Sequence, residues 1–123
     1  MSGYTDGFVA IVAKNKIKDY QKSAAIANEV WLECGALDYK ECIGEDLESN
    51  DSCGSFLTAL KVGADEAVIF SWISFESREH RDAVNAMVIQ DPRIASMCGS
   101  DEMPFDPKRM LYGGFEVFLP KPA

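Results

Sequence analysis

A chain of 123 residues, 47% apolar and 26% charged, is large enough for one globular domain with a core of its own and too apolar for intrinsic disorder. Twenty acidic residues against twelve basic ones give a net charge of −8, which argues against nucleic acid and anionic membranes as partners, since both need clustered Lys and Arg. Met1 to Asp6 carries no basic stretch leading into an apolar one, and no apolar run approaches the roughly 18 residues of a membrane span. The expectation is a single cytoplasmic domain over residues 1–123.

In chain order, Gly7 to Ala13 is apolar on both faces and reads as a strand covered on both sides. Asn15 is placed to cap a helix whose inward stripe is Ile17, Tyr20, Ala24, Ala27, Trp31 and Cys34, ended by Gly35. A second strand runs from Leu37 to Ile43, with Leu37, Tyr39, Glu41 and Ile43 on one side. The acidic run from Gly44 to Asp51 lacks EF-hand spacing and reads as a solvated loop. Ser55 to Val62 suggests a short extended piece. Ala67 to Phe75 is the strongest strand signal, β-branched and aromatic on both sides. Ser77 caps a helix from Arg78 to Gln90 with His80, Val84, Met87 and Val88 inward, Asp91-Pro92 breaks it, and Ile94 to Cys98 adds a short turn. Met103 to Pro107 is too proline-rich for regular structure, and the last strand spans Arg109 to Leu119.

The order β-α-β-β-α-β is the ferredoxin-like α+β pattern, an antiparallel sheet with two helices on one face. Two helices cover one side of a sheet, yet three of the four strands are apolar on both. A second copy packed sheet to sheet is the simplest cover, so a homodimer through the sheet face is expected.

Four cysteines, Cys34, Cys42, Cys53 and Cys98, form no C-x-x-C pair, and His80 is the sole histidine, so no metal site and no cofactor is expected. Cys34 and Cys42 read as small hydrophobes, whereas Cys53 and Cys98 lie in polar or glycine-flanked positions that suit exposed thiols. Walker, dinucleotide, HExxH and Ser-His-Asp signatures are all missing from the sequence.

Three stretches carry a resemblance. They are Asp6-Gly-Phe-Val9; Val68-Ile-Phe-Ser-Trp-Ile73 with Ser77-Arg-Glu-His-Arg-Asp-Ala-Val-Asn85 and Asp91-Pro-Arg93; and Met103-Pro-Phe-Asp106 with Lys108-Arg-Met-Leu-Tyr-Gly-Gly-Phe-Glu-Val117. Together with Trp31, Glu33, Gly35 and Ala36 they resemble the YbaA-like family of small bacterial proteins, a family of unknown function. That family is similar to the dimeric α+β barrel superfamily, which implies sheet-to-sheet dimers. The superfamily hosts cofactor-free monooxygenases, haem-degrading enzymes, lyases, isomerases and binding modules, so the resemblance implies a fold and not an activity.

Candidate site residues follow from residue type. Histidine is the side chain that ordinarily titrates near neutral pH, so His80 could act as general acid or base at a cavity rim, or simply make one hydrogen bond at a helix start. Arg109 could hold a substrate carboxylate, or pair with Asp106 or another acid. Tyr112 and Trp72 could offer a phenol and an indole N–H to a pocket, or anchor a partner. Asn85, Met103 and Phe105 complete the candidate ligand contacts, with Asn85 able to bond toward the 103–106 segment or face water. Arg78 and Asp82 read as a solvated four-residue pair. Gly113-Gly114 suggests a bulge or a close backbone approach.

Two functions compete. One is a dimer that binds a small apolar or carboxylate-bearing molecule, either as a binding protein or as a cofactor-independent enzyme using His80, Arg109 and Tyr112. The other is a non-catalytic interaction module presenting the acidic loop. A pocket of roughly 300 Å³ or more with convergent polar groups favours the first, and a filled core the second.

Overall fold

The computed structural model describes residues 3–48, 52–97 and 104–121. Its strands are β1 (Tyr4–Ala13), β2 (Asp38–Ile43), β3 (Glu66–Phe75) and β4 (Leu111–Glu116). The helices are α1 (Ile17–Glu33), α2 (Phe56–Ala59), α3 (Arg78–Val88) and α4 (Pro92–Met97). The strands form one antiparallel sheet in the order β2-β3-β1-β4. Two of the strands that read as apolar on both faces, β1 and β3, are the central pair, in register from Tyr4 opposite Phe75 to Ala13 opposite Glu66. This is the ferredoxin-like α+β fold that the element order implied. No helix among the described residues is long and apolar enough to cross a membrane.

One face of the sheet presents Asp6, Ala10 and Val12 of β1 and Ile69, Ser71, Ile73 and Phe75 of β3, all buried. Against it pack Ala27 and Val30 of α1, Val84 and Val88 of α3, and Ile94 of α4. Each Val, Ile or Phe side chain among these, taken fully out of water, contributes roughly 1.5–3 kcal/mol before the entropy of ordering it.

Capping explains where the helices stop and start. Gly35, at φ +115°, ends α1: Ala36 N–H donates to Trp31 O at 3.0 Å and Gly35 N–H to Leu32 O at 3.2 Å, the paired bonds of a Schellman turn. Ser77 Oγ accepts from His80 N–H at 3.1 Å and opens α3 as expected.

Several expectations change. Asn15 caps nothing; it lies in a 3-10 turn over Lys14–Lys16 that leads into α1. The segment 55–62 holds the short helix α2 and not a strand, because Ser55 Oγ accepts from Leu57 N–H at 3.0 Å and closes a helical turn. Met87 is 51% exposed, since the inward stripe of α3 is set by Val84 and Val88. The last strand begins at Leu111, not Arg109, which sits in a 3-10 turn over Pro107–Arg109 capped by Asp106. No bulge interrupts β4 at Gly113-Gly114; the close approach is real, and a Cβ at Gly114 would overlap the Tyr4 ring. Cys42 is exposed on the side of the sheet away from the helices, while Cys34 is partly buried beneath them. Cys98 and Met103 lie outside the described residues.

Candidate functional site

On α1 the positions facing the sheet between Tyr20 and Trp31 are Ser23, Ala24 and Ala27. These side chains are too short to fill the space that two large aromatics hold open. The result is a cavity of about 420 Å³ between α1 and the sheet, closed at one end by Ile94 and Met97 and along one side by Pro104, Phe105 and Met110. Phe105 is held there by a backbone bridge to Val12 and meets the Tyr20 ring edge-on at 6.0 Å. Phe8, Trp31 and Tyr39 supply further aromatic walls, with the last two rings 6.0 Å apart.

Glu41 is the one charged residue among the described cavity lining. It projects from β2 on the helix side, where strand alternation puts it between Tyr39 and Ile43. Tyr20 Oη donates to its Oε1 at 2.7 Å, and Tyr39 Oη donates to its Oε2 at 2.7 Å. Both phenols are pushed above the ordinary value of 10.0, first by burial and then by the Glu41 carboxylate beside them, so both keep their protons. Glu41 makes no ion pair among the described residues. The carboxylate is held by dipoles and not by a countercharge.

A second polar group lies behind the cavity wall. Asp6, 1% exposed on central strand β1, accepts from Arg81 Nη1 at 2.7 Å. The same nitrogen donates to Tyr112 Oη at 2.9 Å, and the guanidinium lies 5.0 Å from the centre of the Tyr4 ring. Burial raises the Asp6 carboxyl above its ordinary 3.8, against the opposing pull of Arg81. Burial works against the Arg81 cation, but Asp82 and Asp6 outweigh it and raise its pKa. Trp31 Nε1 donates to Asn85 Oδ1 at 3.0 Å, and Asn85 in turn helps hold Asp6, so this network touches the cavity through Trp31.

The expected site residues are thus dispersed. Phe105 lines the cavity and Asn85 braces its Trp31 wall. Tyr112 stacks on Phe8 at 4.9 Å and joins the Asp6–Arg81 group, outside the cavity lining. His80 Nδ1 accepts from Glu76 N–H at 3.0 Å and its ring packs edge-on against Phe75, which is a helix-start role. Arg109 grips Glu66 through two nitrogens, at 2.6 and 3.1 Å, and donates to Lys61 O at 3.1 Å, binding the turn before β3 to the turn before β4. Its partner is therefore an acid other than Asp106. Trp72 points to the face opposite the helices, beside Phe70 at 5.8 Å. Asp82 is held by Arg81, not Arg78.

Glu41 and Arg81 were the residues that sequence reasoning passed over. The signal for Glu41 was there, as an acid on the apolar side of an alternating strand. Arg81 sits in a charged run that looks like a solvated helix face, and only its burial against Asp6 distinguishes it.

Comparison with known proteins agrees with this architecture. A candidate antibiotic biosynthesis monooxygenase from Nitrosomonas europaea superposes with a TM-score of 0.57 over 96% of this chain and 92% of its own, at 12% identity. At that identity the likeness speaks for the fold alone. The uncharacterized protein YbaA of Escherichia coli K12 is 42% identical over 116 residues, covering 94% of this chain and 97% of YbaA. YbaA of Shigella flexneri matches with the same identity and coverage. Residues 3–107 match the model of the family described as protein of unknown function DUF1428, and the chain belongs to that family.

Proposed function

We propose that this protein binds a small, largely apolar molecule in the cavity between α1 and the sheet, and does so as a cytosolic homodimer. The observation that carries the reading is the cavity itself: about 420 Å³, walled by aromatics, with one carboxylate anchored inside it. Glu41 takes the protons of Tyr20 and Tyr39 and still has unused lone pairs, so it can meet a ligand's donors as well. The fold likeness to a candidate monooxygenase is compatible with a small-molecule ligand. A carboxylate-bearing ligand fits poorly, since the cavity's own charge is negative and Arg109 is committed to Glu66.

The dimer rests on the other face of the sheet. Val9, Phe70, Trp72, Leu111 and Phe115 form a continuous apolar surface there, with Phe70 44% and Phe115 62% exposed in the single chain. Asp38 and Lys40 pair at its β2 edge and give it a charged rim. A second copy of the same face buries this surface under two-fold symmetry.

Native mass spectrometry on protein purified directly from cells tests both parts. The expected species is twice 13.6 kDa plus a discrete added mass. The Ala24→Phe variant, which fills the cavity, should keep the dimer and lose the added mass. A bare dimer that also binds no small apolar probe would sink the ligand reading and favour a surface-only role. A monomer would sink the sheet-to-sheet dimer.

A further inference from the structure

The polar atoms around Glu41 have an asymmetry that narrows the ligand, given the binding role proposed above. A carboxylate only accepts hydrogen bonds, and has about four lone-pair positions on its two oxygens. Tyr20 and Tyr39 use one each, and in doing so commit their only protons. What these three side chains still offer the cavity is acceptor capacity, lone pairs on Glu41 and on both phenol oxygens, while the hydroxyls of Ser23 and Ser71 in the lining carry no charge and can donate or accept. Ser96 continues the trend, because its hydroxyl donates to Arg93 O at 3.0 Å. No Lys, Arg or His stands among the described lining to donate or to balance the charge. Around this acceptor cluster stand the rings of Phe8, Tyr20, Trp31, Tyr39 and Phe105. Aromatic faces are negative and attract cations, most strongly where water is partly excluded.

We infer that the ligand is an organic amine bound as its ammonium cation, with the N–H groups on Glu41 and the tyrosine oxygens and an apolar body among the aromatic rings. An ammonium group supplies two or three donors and the missing positive charge at once. A neutral alcohol supplies one donor and no charge, and a carboxylic acid ionised at neutral pH supplies neither.

The test is calorimetric titration of the full-length dimer at pH 7 with three probes of matched shape, 2-phenylethylamine, 2-phenylethanol and phenylacetate. The amine should bind about tenfold or more tighter than the alcohol, with phenylacetate weakest. Glu41→Gln should bring the amine to within about threefold of the alcohol while leaving alcohol binding nearly unchanged. Should that variant fail to fold, the preference order of the unaltered protein decides, and Trp31→Leu should weaken the amine more than the alcohol. Equal binding of alcohol and amine, tighter binding of phenylacetate, or an amine preference that survives Glu41→Gln would overturn the inference while leaving a binding cavity in place. Binding of none of the three, with no effect of Ala24→Phe on any added mass, would overturn the cavity reading together with it.

Discussion

The two faces of this sheet are made by the same four strands, and their central residues are similarly apolar, yet they have come to opposite chemical states. The helix face is closed over Ile69, Ile73 and Phe75 and contains the charged groups Asp6, Arg81 and Glu41, each held by named partners. The other face carries Phe70, Trp72 and Phe115 with no charge at its centre; the chain covers it only at one end, where Ile11 and Val68 are buried and Phe56 of α2 meets Phe70. A surface meant to stay in water would be expected to carry the charges. Their placement on the covered face teaches that the polar groups there serve a specific arrangement, while the exposed aromatics of the other face are the surface on which the proposed dimer rests.

The comparison can be broken most severely at Arg81. Arg81→Met leaves Asp6 buried without its partner, which should cost about 3–5 kcal/mol in urea unfolding. The pH dependence identifies the cause. Burial raises Asp6 above 3.8 even against the pull of Arg81, and the variant removes that opposing pull. A raised folded pKa favours folding most below the unfolded value and less as pH rises through the folded one. The deficit of the variant should therefore shrink as the pH falls toward 4. A deficit that stays constant from pH 7 to pH 4 would mean that lost packing, not the stranded charge, is responsible.

The bare face is probed by Trp72→Ala. Central aromatic anchors typically contribute about 2 kcal/mol or more to an interface, so the proposed dimer should dissociate about 30-fold more readily. Sedimentation at several concentrations would read this. The isolated protomer should keep its helical spectrum, because Trp72 touches none of the helix-side core. An unchanged association constant would mean that the face meets a different partner.

The smallest effect is expected where neither face is involved. Arg109 hydrogen bonds, followed by the Gly63 N–H, hold Glu66 below its ordinary 4.5. A lowered folded pKa stabilises above the unfolded value and is lost as pH falls through the folded one. Melting temperature should thus fall more steeply below about pH 4.5 in the unaltered protein than in Glu66→Gln. Parallel curves would show the clamp to be energetically idle.

What could be read in advance follows the range of the forces involved. Hydrophobic period, capping serine and terminal glycine act within a few residues, so the central strands, both long helices, the Ser77 cap and the Gly35 stop were all legible. The short helix at Phe56–Ala59 was missed because four residues give no periodicity to read, and Arg109 was placed in a strand because its 3-10 turn depends on Asp106 and on a tertiary grip on Glu66. The inward acid Glu41 was visible as a position but not as a site. Its meaning comes from Tyr20, twenty-one residues away, and from the emptiness left by Ser23, Ala24 and Ala27.

The sequence by itself determined the element order, the net acidity, the family resemblance and the fact that both sheet faces are apolar, because each of these is a local or additive property of the chain. Only the tertiary structure decided which face the helices cover, that Trp72 looks away from them, that His80 and Arg109 are tied to their own neighbourhoods, and that two tyrosines from different elements converge on one carboxylate. Those outcomes depend on distances between residues far apart in the chain, and packing alone sets such distances.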